Sequence, residues 1–379
     1  MGPLHGVRVI EIAGIGPGPF CAMALADLGA DVIRVDRLSA AGPPTGGERY
    51  DVLGRGRRSV AIDLKHDDGA EVVMRLVEGA DALIEGFRPG VAERLGIGPA
   101  VCLGRNRQLV YGRMTGWGQE GPLSASAGHD LTYAAVAGAL AHIGRAGQLP
   151  TPPLNLIADF GGGGMLLALG VLAALHHAQR TGVGQVVDAA MVDGTALLMA
   201  PFFGASAIGY WSDERGTNLL DSGAPFYDVY LCSDGKEIAV GAIEPQFFAS
   251  LLAVLELDAA GLPDQMDQTR WPELRAAFRG ALASRPRPEW LARAEGRDAC
   301  LAPVLTMSEA RSHPHLAARR TIVEVDGVPQ PAPAPRFSET PAELSRPPSA
   351  PGQHTDEVLR SAGLALAEVR ALRAGGVIA

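Results

Sequence analysis

The first half of the chain alternates short apolar runs with amphipathic ones. Residues 7–12, 32–35, 82–84 and 109–113 read as strands, and residues 20–28 and 71–77 as helices, the first ending at Gly29. Strands separated by helical stretches imply right-handed crossovers and a mostly parallel sheet. Residues 161–180 then form a long apolar helix, 185–189 a strand, and 191–209 a connecting helix kinked at Pro201. A second region opens near Gly223. There, residues 227–231 and 237–240 flank Ser233-Asp234-Gly235, the pattern of a β-hairpin. Helical stretches follow through Glu309. Residues 39–58 are rich in Gly, Pro and Arg and long for a connector, as expected of a mobile or ligand-covering loop. Prolines crowd residues 328–352, which reads as an extended return segment, and residues 356–373 form a final amphipathic helix.

Composition narrows the class. At 379 residues, 47% of them hydrophobic and 20% charged, the chain carries enough apolar side chain for two or three domains. A net charge of −9 excludes a nucleic-acid binder, which needs a dense basic surface, but leaves room for a small anionic ligand held by a few local cations. Cys21, Cys102, Cys232 and Cys300 are dispersed, without CxxC spacing or clustered His, so neither a metal site nor a disulfide framework is expected. The N-terminal stretch has no signal-peptide core and the last residues are not a peroxisomal tripeptide, so a cytoplasmic protein is expected. Two uncharged stretches, 160–178 and 194–211, are interrupted by glycines, histidines or Pro201. They are expected to be buried helices, not membrane spans.

Gly14-Ile-Gly16-Pro-Gly18 follows a strand and precedes a helix, and Asp36 ends the second strand, which invites a dinucleotide reading. The pattern has Pro19 where GxGxxG needs glycine, and its prolines remove backbone donors a pyrophosphate would use. A tight turn that lets another group approach the backbone is the better reading. Chemistry concentrates in two other segments, one running from Met114 to Leu131 and one from Asn155 to Met165. Each places ionisable residues at the start of an apolar helix: His129 and Asp130 in the first, Asp159 in the second. Helix capping alone would account for the aspartates. Four consecutive glycines, 161–164, weaken a helix by up to about 1 kcal/mol each relative to Ala, and imply something large passing close to the backbone.

Several stretches together resemble the class III CoA-transferase superfamily. They are Gly6-Val-Arg-Val-Ile-Glu, the run from Gly18 to Asp36, Asp63-Leu64-Lys65, Glu85-Gly-Phe-Arg88-Pro-Gly90, Glu93-Arg94-Leu-Gly96 and Gly184 to Asp193. Within it, Gly128-His129-Asp130, the Asn155 to Gly164 segment and Gly241-Ala-Ile-Glu244-Pro-Gln-Phe resemble the bacterial α-methylacyl-CoA racemase branch. The resemblance implies an open, mostly parallel, Rossmann-like α/β domain over residues 1–190, completed by 325–379 and binding CoA. Linker helices over 191–222 and a smaller α/β domain over 223–324 would follow, in an interlocked homodimer. It also implies inversion of a Cα beside a thioester carbonyl without cofactor or metal. His129 and Asp159 would exchange the proton on opposite faces, Glu244 would orient His129, and the Asp130 amide would face the enolate oxygen, its side chain tuning the site. Arg37, Lys65, Arg88 and Arg94 would meet the CoA phosphates; Ile15, Gly16, Leu64 and Met114 would line its path. The rival expectation is a CoA-transferase with Asp159 as nucleophile. A dehydrogenase or a silent CoA-binding scaffold fits the His129, Asp159 and Glu244 set less well.

Overall fold

The computed structural model describes residues 2–379 and divides into two compact units. The larger comprises residues 1–137, 154–198 and 318–379; the smaller, residues 138–153 and 199–317. The segment 191–222, expected as a linker, is therefore shared between them, and residues 138–153 belong to the smaller unit.

Six parallel strands form the sheet of the larger unit: β1 (Arg8–Ile12), β2 (Asp31–Arg37), β3 (Arg57–Ile62), β4 (Ala82–Glu85), β5 (Val110–Thr115) and β6 (Val186–Ala190). Their order is β3-β2-β1-β4-β5-β6, with a topological switch between β1 and β4. In such sheets ligands bind beyond the carboxyl ends of the strands at that switch. Strands β1 to β5 are mostly buried, with Val9, Ile10, Ile33, Val60, Leu83 and Tyr111 nearly inaccessible, and the charged residues among them, such as Glu11, Arg57, Glu85 and Arg113, are buried with them.

Strand β3 is the element the sequence reading misses. Its first residues are Arg57 and Arg58, which look like the end of a loop, yet every residue of the strand is buried. Arg57 is fully buried because it pairs with Glu11 at 2.8 Å and also donates to the carbonyl of Pro19 in the first turn of the helix Pro17–Asp27. Arg58 pairs with Asp31 at 2.6 Å. Buried charge is tolerated here because each guanidinium is paired and hydrogen-bonded.

Other expectations need smaller corrections. The long helix is two joined segments, a π-helical stretch at Leu156–Met165 continued by an α-helix at Leu166–Thr181. Together they are 26 residues, with length and mean hydropathy sufficient to cross a membrane. Only one face is buried; Met165 and Leu169 are 54% and 63% exposed, contrary to the expected burial. The connecting helix is two, Met191–Leu198 and Ala200–Ala207, broken at Met199. The final helix is also two, Thr355–Ser361 and Leu366–Ala374, separated by Gly363 at φ +89°. Part of the proline-rich return pairs as a ribbon, β10 (Ile322–Val325) with β11 (Val328–Pro331). Within the larger unit Arg55 ties that ribbon to the end of the helix Pro17–Asp27 by bonding Asp27, Gln330 and the carbonyl of Pro331.

In the smaller unit the hairpin forms as read: β7 (Tyr227–Leu231) and β8 (Glu237–Gly241) are antiparallel, with Gly235 at φ +75° in the turn. A short third strand, β9 (Leu301–Pro303), adds to β8. Phe226, Phe248, Trp271, Phe278 and Trp290 build its core, so the chain's few aromatics are concentrated here.

Candidate active site

His129 and Asp130 straddle the start of the Asp130–Val136 helix. His129 is the last extended residue (φ −139°) and is exposed, whereas Asp130 is the first helical residue and is buried. The turn is fixed by Thr132, which accepts from the His129 amide at 3.0 Å and donates to its carbonyl at 2.7 Å. It is also fixed by Tyr133, whose ring lies where a Cβ on Gly116 or Gly128 would sit, 2.1 and 2.5 Å away. Trp117 packs edge-on against the same ring at 4.8 Å. The glycines in both motifs therefore make room for Tyr133, and Tyr133 sets the entry of the chain into His129.

Asp159 lies inside the π-helical stretch, not at a helix cap. Such irregular turns are uncommon and recur at functional sites. Its glycines are explained by the protein's own backbone. A Cβ on Gly162 would be 2.6 Å from the Thr195 nitrogen, one on Gly163 2.9 Å from Met191, and one on Gly164 2.8 Å from Pro17 and Phe20. The large group passing close is thus the pair of helices Pro17–Asp27 and Met191–Leu198, between which the stretch is packed.

Asp130 does cap, but across the chain. Its Oδ2 accepts from the backbone amides of Ala158 and Asp159 at 2.7 and 2.8 Å. One side chain, adjacent in sequence to His129, thereby holds the turn that presents Asp159. The Asp159 carboxylate accepts from the Asn155 amide group at 3.1 Å and faces Gly16, whose added Cβ would lie 3.4 Å from its Oδ2. Gly16 has φ +74°, so its conformation requires glycine, while the carboxylate stands at van der Waals distance from it. This is the close approach expected of the Gly14 to Gly18 turn, and the group that approaches is a carboxylate. Burial raises the Asp159 pKa above the ordinary 3.8; the Asn155 bond lowers it, Asp130 raises it and His129 lowers it. Burial and the Asp159 charge also raise the Tyr133 pKa, while Arg88 lowers it. Arg88 follows β4, so its field reaches the same edge of the sheet at the β1/β4 switch.

Beside the Gly14 to Gly18 turn lies a cavity of about 380 Å³ lined by Ile15, Gly16, Arg34, Asp36, Asp51 and Arg57 among others. Ile15 is 95% exposed at its mouth. Arg37 lies at the exposed end of β2, Leu64 and Lys65 in the turn after β3, and Arg94 at the end of the short Val91–Arg94 helix. Met114 is 3% exposed within β5, a core position. Arg34 and Asn155 were not singled out by sequence reasoning. Asn155 stands in the quoted motif, but only its fold-dependent bond to Asp159 gives it a role. In the smaller unit, Glu244 is exposed at the end of the loop after β8 and begins the Pro245–Leu255 helix without capping it. Gln265 braces that loop by donating to the carbonyls of Ala242 and Ile243. Among the described residues no group of three or more His, Cys, Asp or Glu is arranged to hold a metal.

The family model for CoA-transferase family III matches residues 4–355. The chain is 47% identical over 378 residues to a mouse protein named alpha-methylacyl-CoA racemase, covering 99% of this chain and 97% of that one. It is 45% identical over 381 residues to the human protein of the same name, with the same coverage. Its fold is similar to the crystal structure of a CAIB/BAIF family protein from Brucella suis, with a TM-score of 0.81, 25% identity, and coverage of 95% of this chain and 99% of that one.

Proposed function

This chain belongs to CoA-transferase family III, and from that membership we propose that it is an isomerase interconverting (2R)- and (2S)-2-methylacyl-CoA thioesters. The observation that carries the reading is the near-full-length similarity to the two racemases, joined to a site in which Asp130 couples the turns bearing His129 and Asp159.

The hydrogen on Cα beside a thioester carbonyl is weakly acidic. One of the pair, Asp159 or His129, takes it, the electrons move onto the thioester oxygen, and the other returns a proton to the opposite face. The roles reverse with direction, so each group must be able to hold and release a proton. Burial of Asp159, which lifts its pKa, serves that requirement. The enolate oxygen needs preorganised donors. We assign that role to the amide of Asp130, a reading supported by its being first in its helix, where an N–H has no carbonyl to serve within the helix. The scheme needs no redox partner and no electron sink beyond the thioester itself. Arg37, Lys65, Arg88 and Arg94 are assigned to the CoA phosphates, with Ile15 and Gly16 beside the path.

A homodimer completes this reading. Leu131, Val136, Met165, Leu169 and Leu197 are each at least 41% exposed on the larger unit, an apolar area suited to a second copy. In that assembly the partner subunit's Glu244 orients His129.

Asp159 as proton carrier and Asp159 as nucleophile make different intermediates. Attack on the thioester gives an acyl anhydride that hydroxylamine cleaves; proton transfer leaves no adduct. Intact-protein mass spectrometry of a quenched reaction with a 2-methylacyl-CoA should show the unmodified mass. A hydroxylamine-sensitive adduct on Asp159 forming at the turnover rate would establish covalent transfer instead.

A further inference from the structure

We propose that Arg215 is a positioning residue for proton transfer, clamping the chain segment that joins His129 to Asp159. This rests on the acid–base reading of those two residues. Between them the chain leaves the larger unit after Ala137 and rejoins it at Leu154, and the intervening residues 138–153 belong to the smaller unit. Within that unit the segment folds back on itself, the Thr151 amide donating to the Ile143 carbonyl at 2.8 Å. The Arg215 guanidinium enters the fold and donates to the carbonyls of Ala141 at 2.8 Å, Arg145 at 3.4 Å and Gln148. One side chain thus holds both limbs of the turn.

Two glycines permit the approach. A Cβ on Gly144, at φ +128°, would be 3.4 Å from the Arg215 Cδ, and one on Gly216, at φ +77°, would be 2.3 Å from the Ala146 nitrogen. Two side chains pin the segment further. Arg145 pairs at 2.9 Å with Asp228, which is itself buried and held by Arg275. His142 accepts from the indole of Trp211 at 3.2 Å. The segment is therefore a fixed strap. Leu154 leaves it with φ +60°, a conformation costly for leucine, and the next residue is Asn155, which bonds the Asp159 carboxylate. Only Leu154 separates the strap from Asn155 along the chain, so loosening of the strap is expected to reach Asn155 and, through its bond, Asp159. An arginine suits the position because its rigid planar fork spreads donors over three nitrogens, each meeting a different carbonyl, whereas an ammonium offers its donors from one atom.

The test compares the full-length protein with Arg215→Ala and Arg215→Lys, using amide hydrogen exchange and deuterium incorporation at Cα of a 2-methylacyl-CoA in D₂O. Arg215→Ala should raise exchange in residues 138–153 and also in 154–165. Misplacing reacting groups by about 1 Å costs on the order of 10²-fold, so kcat should fall about 10- to 100-fold with KM nearly unchanged. Arg215→Lys should fall between. The acid limb of the pH profile should move up as the Asn155 bond loosens, which a loss of global stability would not produce. Unchanged exchange in 154–165, or kcat within about twofold of wild type in the folded variants, overturns the proposal. If Arg215→Ala does not fold, Arg215→Lys decides by the same readouts. If the wild type itself incorporates no deuterium, the acid–base reading fails, and exchange in 154–165 still decides whether the clamp holds the Asp159 turn.

Discussion

The Oδ2 atom of Asp130 accepts a hydrogen bond from the backbone amide of Asp159 at 2.8 Å. This bond joins the two segments that the sequence marks separately, the start of the Asp130–Val136 helix and the π-helical stretch. It also places a second carboxylate next to the first, so Asp130 acts on Asp159 through both geometry and charge.

The pH dependence should report that charge. Asp159 must be ionised to act as a base, so kcat/KM falls as pH drops through its pKa, which burial places above 3.8. Asp130→Asn keeps an acceptor for the two amides but removes the like charge, and should move the acid limb to lower pH. Asn155→Ala removes the bond that favours the ionised carboxylate, and should move it to higher pH. Profiles of kcat/KM for the three proteins should give limbs in the order Asp130→Asn, wild type, Asn155→Ala. Coincident limbs would remove both neighbours from the control of Asp159.

The same shift bears on stability. A carboxyl whose pKa is raised on folding contributes stability that is fully present below its unfolded pKa and is lost as pH rises through the folded value. Wild type has lost that contribution at pH values well above the folded pKa. Asp159→Asn carries no charge to desolvate there and should unfold at higher denaturant concentration than wild type at neutral pH. The advantage should shrink as pH is lowered toward 3.8. The same variant should lose racemisation, since an amide cannot accept the proton. A variant less stable than wild type at neutral pH would mean that burial does not strain this carboxylate.

Gly16→Ala tests the turn against which Asp159 rests. At φ +74° and ψ −115° a residue with a Cβ is held in a sparsely populated conformation, at a cost of roughly 1–3 kcal/mol. The new methyl would stand in contact with the Asp159 Oδ2 at 3.4 Å, so any shift of the strained turn is felt by the carboxylate. We expect thermal stability to drop and kcat to fall about tenfold or more, by displacement of the reacting carboxylate. Unchanged kcat in a folded variant would show that the turn does not position Asp159.

Much of this was legible in the sequence. The alternation of strand and helix implied the parallel sheet, and the Gly128-His129-Asp130 and Asn155 to Gly164 motifs hold the residues that Asp130 bonds together. What escaped depended on partners far away in the chain. Strand β3 begins with Arg57 and Arg58, whose burial makes sense only once Glu11 and Asp31 are beside them. The four glycines signalled a close approach, but that the neighbours are the helices at Pro17 and Met191 is a fact of packing. Met114 looked like a lining residue because it opens a motif, yet as part of β5 it is core. Asn155 acts through one hydrogen bond to Asp159 and Arg215 through three to carbonyls about 70 residues earlier in the chain, and no local pattern announces either.

The central claim is that the protein moves a proton at Cα and makes no bond to the acyl group. The direct measurement is incubation of a single epimer of a 2-methylacyl-CoA with the protein in D₂O, followed by mass spectrometry and chiral analysis of the thioester. The account predicts one deuterium at Cα, approach to a mixture of both epimers, and no transfer of the acyl group to a carboxylic acid acceptor. Acyl transfer to such an acceptor, with hydrogen retained at Cα, would contradict it.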